Sequence, residues 1–171
     1  MGAVSRVLAR VRAALGRSGT AGLDPADPTL VVVAGSADDA EACSAALARS
    51  TGWSEGAPVL LRHHLRLPRA AVAGATATAA QDGYAPAPPD SPALPGAGSS
   101  DLPAGRDGAG DGTGDADRDV VGLTLQRVQL LDALHCSQER SRMAGLAQRL
   151  DGDVLAWDAL QPGAPTDGSA R

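Results

Sequence analysis

The sequence predicts an α/β protein of the α+β kind, an antiparallel sheet with helices packed on one face. Three observations lead there. Short apolar runs of strand length alternate with segments of helical period. After a first strand and helix, the elements follow in the order strand, helix, strand, strand, helix, strand. And 171 residues suit a single domain.

The elements are justified in chain order. In residues 4–15, Val4, Val7, Leu8, Val11 and Leu15 recur at helical spacing, with Arg6, Arg10, Arg12 and Arg17 on other faces. A basic amphipathic helix of this kind either touches a membrane surface or a partner, or rides loosely on the domain as a solubilised leader. Gly16, Gly19 and Gly22 break it. The run Leu30 to Ala34, bounded by Gly35, predicts a buried strand. "SADDAEACSAALARSTG" predicts a helix with Ser36 as N-cap, Asp38, Asp39 and Glu41 in its first turns, and Gly52 past its end. Its apolar stripe, Ala40, Cys43, Ala46 and Leu47, places Cys43 in packing.

"APVLLRHHLRLP" predicts the next strand, ended by Pro68. Val59, Leu61, His63, Leu65 and Leu67 share one face; Leu60, Arg62, His64 and Arg66 share the other. The first face is apolar and the second basic, so the second is expected wet or at a helix edge. "RAAVAGATATAAQDGY" predicts a small-residue helix ending at Gly83. From Ala85 to Asp119 Pro, Gly, Ser, Asp and Ala dominate. Residues 88–119 are therefore expected to be a disordered insertion, because such a segment cannot bury enough apolar surface to offset its ordering entropy. Loop closure costs rise slowly with length, so a fold tolerates it.

In "VVGLTLQRVQLLDALH" the alternation Val121, Leu123, Leu125 slips to Val128 and Leu130. That suggests a strand with a bulge near Arg127, or a helix from about Leu125. "SQERSRMAGLAQRLDG" predicts the clearest helix, capped by Ser137, striped by Met143, Leu146, Ala147 and Leu150, and terminated by Gly152. "DVLAWDAL" predicts a final strand. The alternation of Trp157 with Leu155 and Ala159 favours burial; the alternative is a contact anchor on an open sheet face.

Composition limits function. Lys, Asn, Ile and Phe are absent and every basic residue is Arg, as expected of a very GC-rich, actinobacterial genome. The formal net charge is −5, and residues 1–17 carry four Arg and no acid, so the rest of the chain sums to −9. A net-acidic body argues against direct nucleic-acid binding, which needs clustered positive charge. Cys43 and Cys136, the only cysteines, lack C-x-x-C spacing and are expected as free thiols in a reducing cytoplasm. No stretch reaches the ~18 apolar residues of a membrane span, and the N-terminus lacks the signal-peptide pattern. A cytoplasmic location is expected.

Chemistry finds little purchase. His63-His64 with His135-Cys136 is the one set with metal-ligand residue types. Adjacent strand residues point to opposite faces, so at most two ligands could converge, too few for a closed zinc site. Cys136 as a nucleophile would need exposure and a base in reach, and no third, orienting group is evident. The carboxylates of "DDAE", "QER" and "DGD" sit where caps and dipole partners explain them. Glu139, Arg140 and Arg142 predict a solvated helix face, with one of them available as a partner anchor.

From Gly52 to Asp158 the chain resembles the RraB-type regulators of ribonuclease E. The motif P-x-x-x-x-H-H-L-x-L-P stands at Pro58 to Pro68, and "DGY" at Asp82 to Tyr84. In "LDGDVLAWDAL", Gly152, Asp153, Trp157 and Asp158 fall on the family's closing pattern, while Leu155 and Ala156 depart from it. The resemblance implies a ferredoxin-like two-layer sandwich that binds a ribonuclease and has no catalysis of its own. The expected organisation is a leader and link over 1–22, a domain over 28–161 interrupted at 88–119, and a tail over 162–171. The expected function is a non-enzymatic regulator or adaptor with a protein partner and no cofactor. Its candidate contact residues are Arg62, His64, Arg66, Glu139, Arg142 and Trp157. The alternative is a ferredoxin-like module sensing a small molecule in the sheet–helix cleft.

Overall fold

A computed structural model describes residues 22–88, 91 and 119–163. The expected leader helix, most of the insertion and the tail beyond Gly163 lie outside these residues. The elements are β1 (Leu30–Ser36), α1 (Cys43–Ala48), β2 (Pro58–Pro68), a 3-10 turn (Arg69–Ala71), α2 (Val72–Gln81), β3 (Ala85–Pro86), β4 (Val120–Leu130), α3 (Ala133–Gln148) and β5 (Asp153–Pro162). The five strands form one sheet in the order β1-β5-β2-β4-β3, and every neighbouring pair is antiparallel. This is the α+β class. No helix among the described residues is long and apolar enough to cross a membrane.

The alternation in β2 explains where the core forms. Val59, Leu61, His63, Leu65 and Leu67 are all almost fully buried. At one end of this face, Val59 and Leu61 join Trp157 and Ala159 of β5, Cys43, Ala46 and Leu47 of α1, and Cys136 of α3. At the other end, Leu65 and Leu67 join Ala75 and Ala79 of α2, Leu123 and Leu125 of β4, and Met143, Leu146 and Ala147 of α3. The stripe predicted for α3 thus faces the sheet. The opposite sheet face carries a smaller cluster, Leu30, Leu60 and Leu160, flanked by Leu23, Val32 and Val128.

Four boundaries differ from expectation, each for a local reason. Ser36 ends β1 instead of capping α1. Its hydroxyl accepts from Asp38 N at 3.1 Å, and Asp38 Oδ1 accepts from Ala40 N at 2.9 Å. Arg140 then donates to the carbonyls of Glu41 and Asp39, so those oxygens do not enter a helical ladder. The helix starts only at Cys43. Second, α3 begins at Ala133 and not at Ser137, because Asp132 is its N-cap and accepts from His135 N at 2.7 Å. Third, β4 is an unbroken strand: its register with β2 runs without a slip from Val120 opposite Pro68 to Leu130 opposite Pro58. The apparent slip near Arg127 reflects a polar side chain on the helix-bearing face, not a bulge. Register shifts occur instead in β1 near Val33 and between His64 and Leu65 on the β5 side. Fourth, β5 continues to Pro162, where a tail was expected to begin.

Gly152 follows α3 for a packing reason. The left-handed position there belongs to Asp151, at φ 55°, while a Cβ on Gly152 would collide with the Leu67 side chain and the Arg66 carbonyl.

Candidate functional site

Arg62 is expected on a wet basic face, but it is 1% exposed. The register explains this: Arg62 lies directly opposite Asp158 of β5. Its Nε donates to Oδ1 at 2.6 Å and its Nη2 to Oδ2 at 2.7 Å, a bidentate pair. His64, one residue pair along the same face, places Nε2 2.9 Å from Asp158 Oδ2 and Nδ1 3.1 Å from Thr124 Oγ1. With the Nε2 proton toward the carboxylate, Nδ1 accepts the Thr124 hydroxyl. Four side chains from three strands, Arg62, Asp158, His64 and Thr124, thus form one polar chain across the outer face. Beside it, Pro25 to Pro28, Leu30, Leu60, Arg62, Pro88, Ser91 and Leu160 line a cavity of about 380 Å³.

A carboxylate, imidazole and hydroxyl in series are the parts of a nucleophile relay. Here both Asp158 oxygens also bind Arg62, and Thr124 lies in regular strand whose carbonyl accepts from Ala87 N. Each of the four side chains thus has a hydrogen-bond partner within the network, Arg62 and Asp158 at its buried end and His64 and Thr124 at its part-buried end.

A second network lies on the helix-bearing face. Glu139 is expected on a solvated helix face but is 6% exposed. It accepts from the Tyr84 hydroxyl at 2.9 Å and from Arg127 Nη2 at 2.9 Å. Arg127 also stacks over the Tyr84 ring, 4.7 Å from its centroid. Burial raises the Tyr84 phenol above its ordinary range, against the pull of Arg127. Between the two apolar clusters sits His63, fully buried and with neither ring nitrogen hydrogen-bonded. Burial, then the neighbouring His64, pushes its pKa down to about 3, so its ring is neutral.

The remaining candidates divide cleanly. Trp157 is 2% exposed and belongs to the core, the burial its alternation favours. Arg66 is exposed and pairs with Asp153 at 2.8 Å. Arg142 is exposed, 3.3 Å from Asp82. His63 and His64 point to opposite faces, and His135 binds Asp132 at the protein surface. Among the described residues no three His, Cys, Asp or Glu side chains converge as metal ligands.

Cys43 and Cys136 meet where α1 crosses α3, their Sγ atoms 2.6 Å apart and both residues buried. Arg140 Nη1 stands 3.7 Å from Cys43 Sγ. Cys43 lines a second cavity of about 380 Å³, together with Ser36, Asp38, Arg140, Ser141, Leu155 and Trp157 among others. Sequence reasoning missed Asp158, Thr124 and the meeting of the two thiols. For Asp158 a signal existed: it and Arg62 are opposite charges inside otherwise apolar strands.

Comparison with protein-family models, with curated proteins and with solved structures returned no match.

Proposed function

We propose that this chain is a non-enzymatic regulatory or adaptor protein that acts by protein–protein contact, with an RNA-degrading enzyme of the ribonuclease E type as the first partner to test. We read β2 to β5 with α2 and α3 as a ferredoxin-like sandwich extended by β1: the order β5-β2-β4-β3 is the order that reading requires. The observation that carries contact over chemistry is an exposed apolar pair at one turn. Leu130 ends β4 at 47% exposure and Leu134 opens α3 at 64%. Large apolar side chains exposed at one turn suit a partner surface. Arg66 and Arg142 lie elsewhere on the surface as charged contacts.

The test is direct. The purified chain is titrated into a ribonuclease E-type endonuclease, and complex formation and RNA cleavage are both measured. Binding that slows cleavage and is lost in Leu134→Asp, with folding intact, supports the reading. Absence of binding at tens of micromolar removes the ribonuclease from it.

The cavity between α1, α3 and β5 favours a second reading, a small-molecule sensor, because it opens in the sheet–helix cleft and Trp157 lines it. A ligand there would change tryptophan fluorescence and raise the melting temperature.

A further inference from the structure

We propose that Cys43 and Cys136 are a redox modification site, closed by a low-molecular-weight disulfide that enters the cavity between α1, α3 and β5. Three independent features support it. The two sulfurs lie 2.6 Å apart, already inside contact distance. Both thiols are buried, Cys43 2% and Cys136 1% exposed, but only Cys43 lines the cavity, so a molecule seated there meets Cys43 first. And the Arg140 guanidinium beside Cys43 Sγ is placed to stabilise negative charge passing through that sulfur. Arg140 is itself held by the carbonyls of Asp38, Asp39 and Glu41. The loop that walls the cavity therefore fixes the cation at the thiol.

The geometry sets the order of steps. Cys43 loses its proton to solvent and attacks one sulfur of the small disulfide. The sulfur–sulfur bond of that molecule breaks, one thiolate leaves with the electron pair and takes up a proton, and Cys43 carries a mixed disulfide. Cys136 then loses its proton and attacks the Cys43 sulfur, and the second small thiolate leaves and is protonated. The protein is oxidised by two electrons and the small disulfide is reduced to two thiols. Burial raises the Cys136 thiol well above its ordinary range, and Cys43 adds to the rise.

The product would staple α1, a helix of six residues, to the 16-residue α3. It would also cross-link positions far apart in sequence, which raises stability most for long loops.

The experiment uses the full chain, reduced and then incubated with oxidised glutathione without denaturant. Intact mass, thiol labelling and the melting temperature are followed. The wild type is expected to lose two hydrogens and both labelling sites, to melt roughly ten degrees higher, and to return on reduction. Cys136→Ala is expected to accumulate one glutathione adduct at Cys43, while Cys43→Ala leaves Cys136 unmodified. Two thiols that stay free in the folded wild type overturn the proposal. So does an adduct that forms on Cys136 as fast as on Cys43. The wild-type readout does not depend on either variant folding.

Discussion

Arg62 and Asp158 show how one residue changes meaning with its neighbour. Each is nearly inaccessible to water, and each is tolerable only because the other is there. Removing one partner leaves an uncompensated buried charge. Arg62→Met or Asp158→Leu alone is therefore expected to cost about 3–5 kcal/mol of unfolding free energy in urea titrations, and the double substitution far less than the two summed. His63 makes a pH prediction. Its pKa is near 3 when folded and 6.5 as a free side chain, so between these values the unfolded chain holds one more proton than the folded one. Stability is complete above about pH 6.5 and falls as pH falls, by up to about 1.4 kcal/mol per unit from this group. The pH dependence of urea midpoints between 6.5 and 3 is expected to be shallower by that one proton in His63→Leu. The periodicity of β2 made His63 legible as a core residue. It could not reveal Arg62 as one, because the alternation shows which side chains share a face but not which strand lies beside them.

Among the elements, β2 and the stripe of α3 were readable, since their burial follows from period alone. The starts of α1 and α3 were not, for two different reasons. The turn before α1 depends on Arg140, which arrives from another helix far along the chain. The start of α3 was expected at Ser137 alone, although Asp132, five residues earlier, is equally an N-cap residue type. The structure assigns the cap to Asp132, whose carboxylate is lowered below its ordinary range by the hydrogen bonds from His135 N and the His135 ring. Asp132→Ala is expected to lower the melting temperature by removing the cap, whereas Ser137→Ala, inside the helix, leaves it nearly unchanged. Thermal unfolding of the two variants side by side decides between the caps. In β4, the change of chemistry at Arg127 imitates a change of register. The side chain stays on the helix-bearing face because Glu139 and Tyr84 receive it there.

At the scale of the whole molecule, the sequence carried the class and the order of elements, while the sheet order came from long-range pairing. The segment between β3 and β4 has a composition that predicts no share in the core, and the strands on either side of it pair directly, Ala85 with Gln126 and Pro86 with Leu125. Replacing residues 92–118 by a short Gly-Ser linker is expected to leave the melting temperature within about two degrees of the parent. A loss of many degrees in calorimetry would show that the segment packs on the domain.

The position of β5 bears on how the protein is made. Among the described residues it is the last strand in chain order, yet it lies between β1 and β2, and there β1 has no other neighbour in the sheet. During synthesis, then, β1 emerges early and waits, an apolar strand without a hydrogen-bonding partner, until nearly the whole described chain has left the ribosome. β2 likewise has only one of its two neighbours until then. Asp158 follows Arg62 by 96 residues, so Arg62 is made long before its counter-ion. The nascent chain accordingly exposes sticky strand edges until β5 is made, a state prone to aggregation. Shortening that wait, by a circular permutation that makes β5 before β1, should raise the soluble yield without altering the finished sheet.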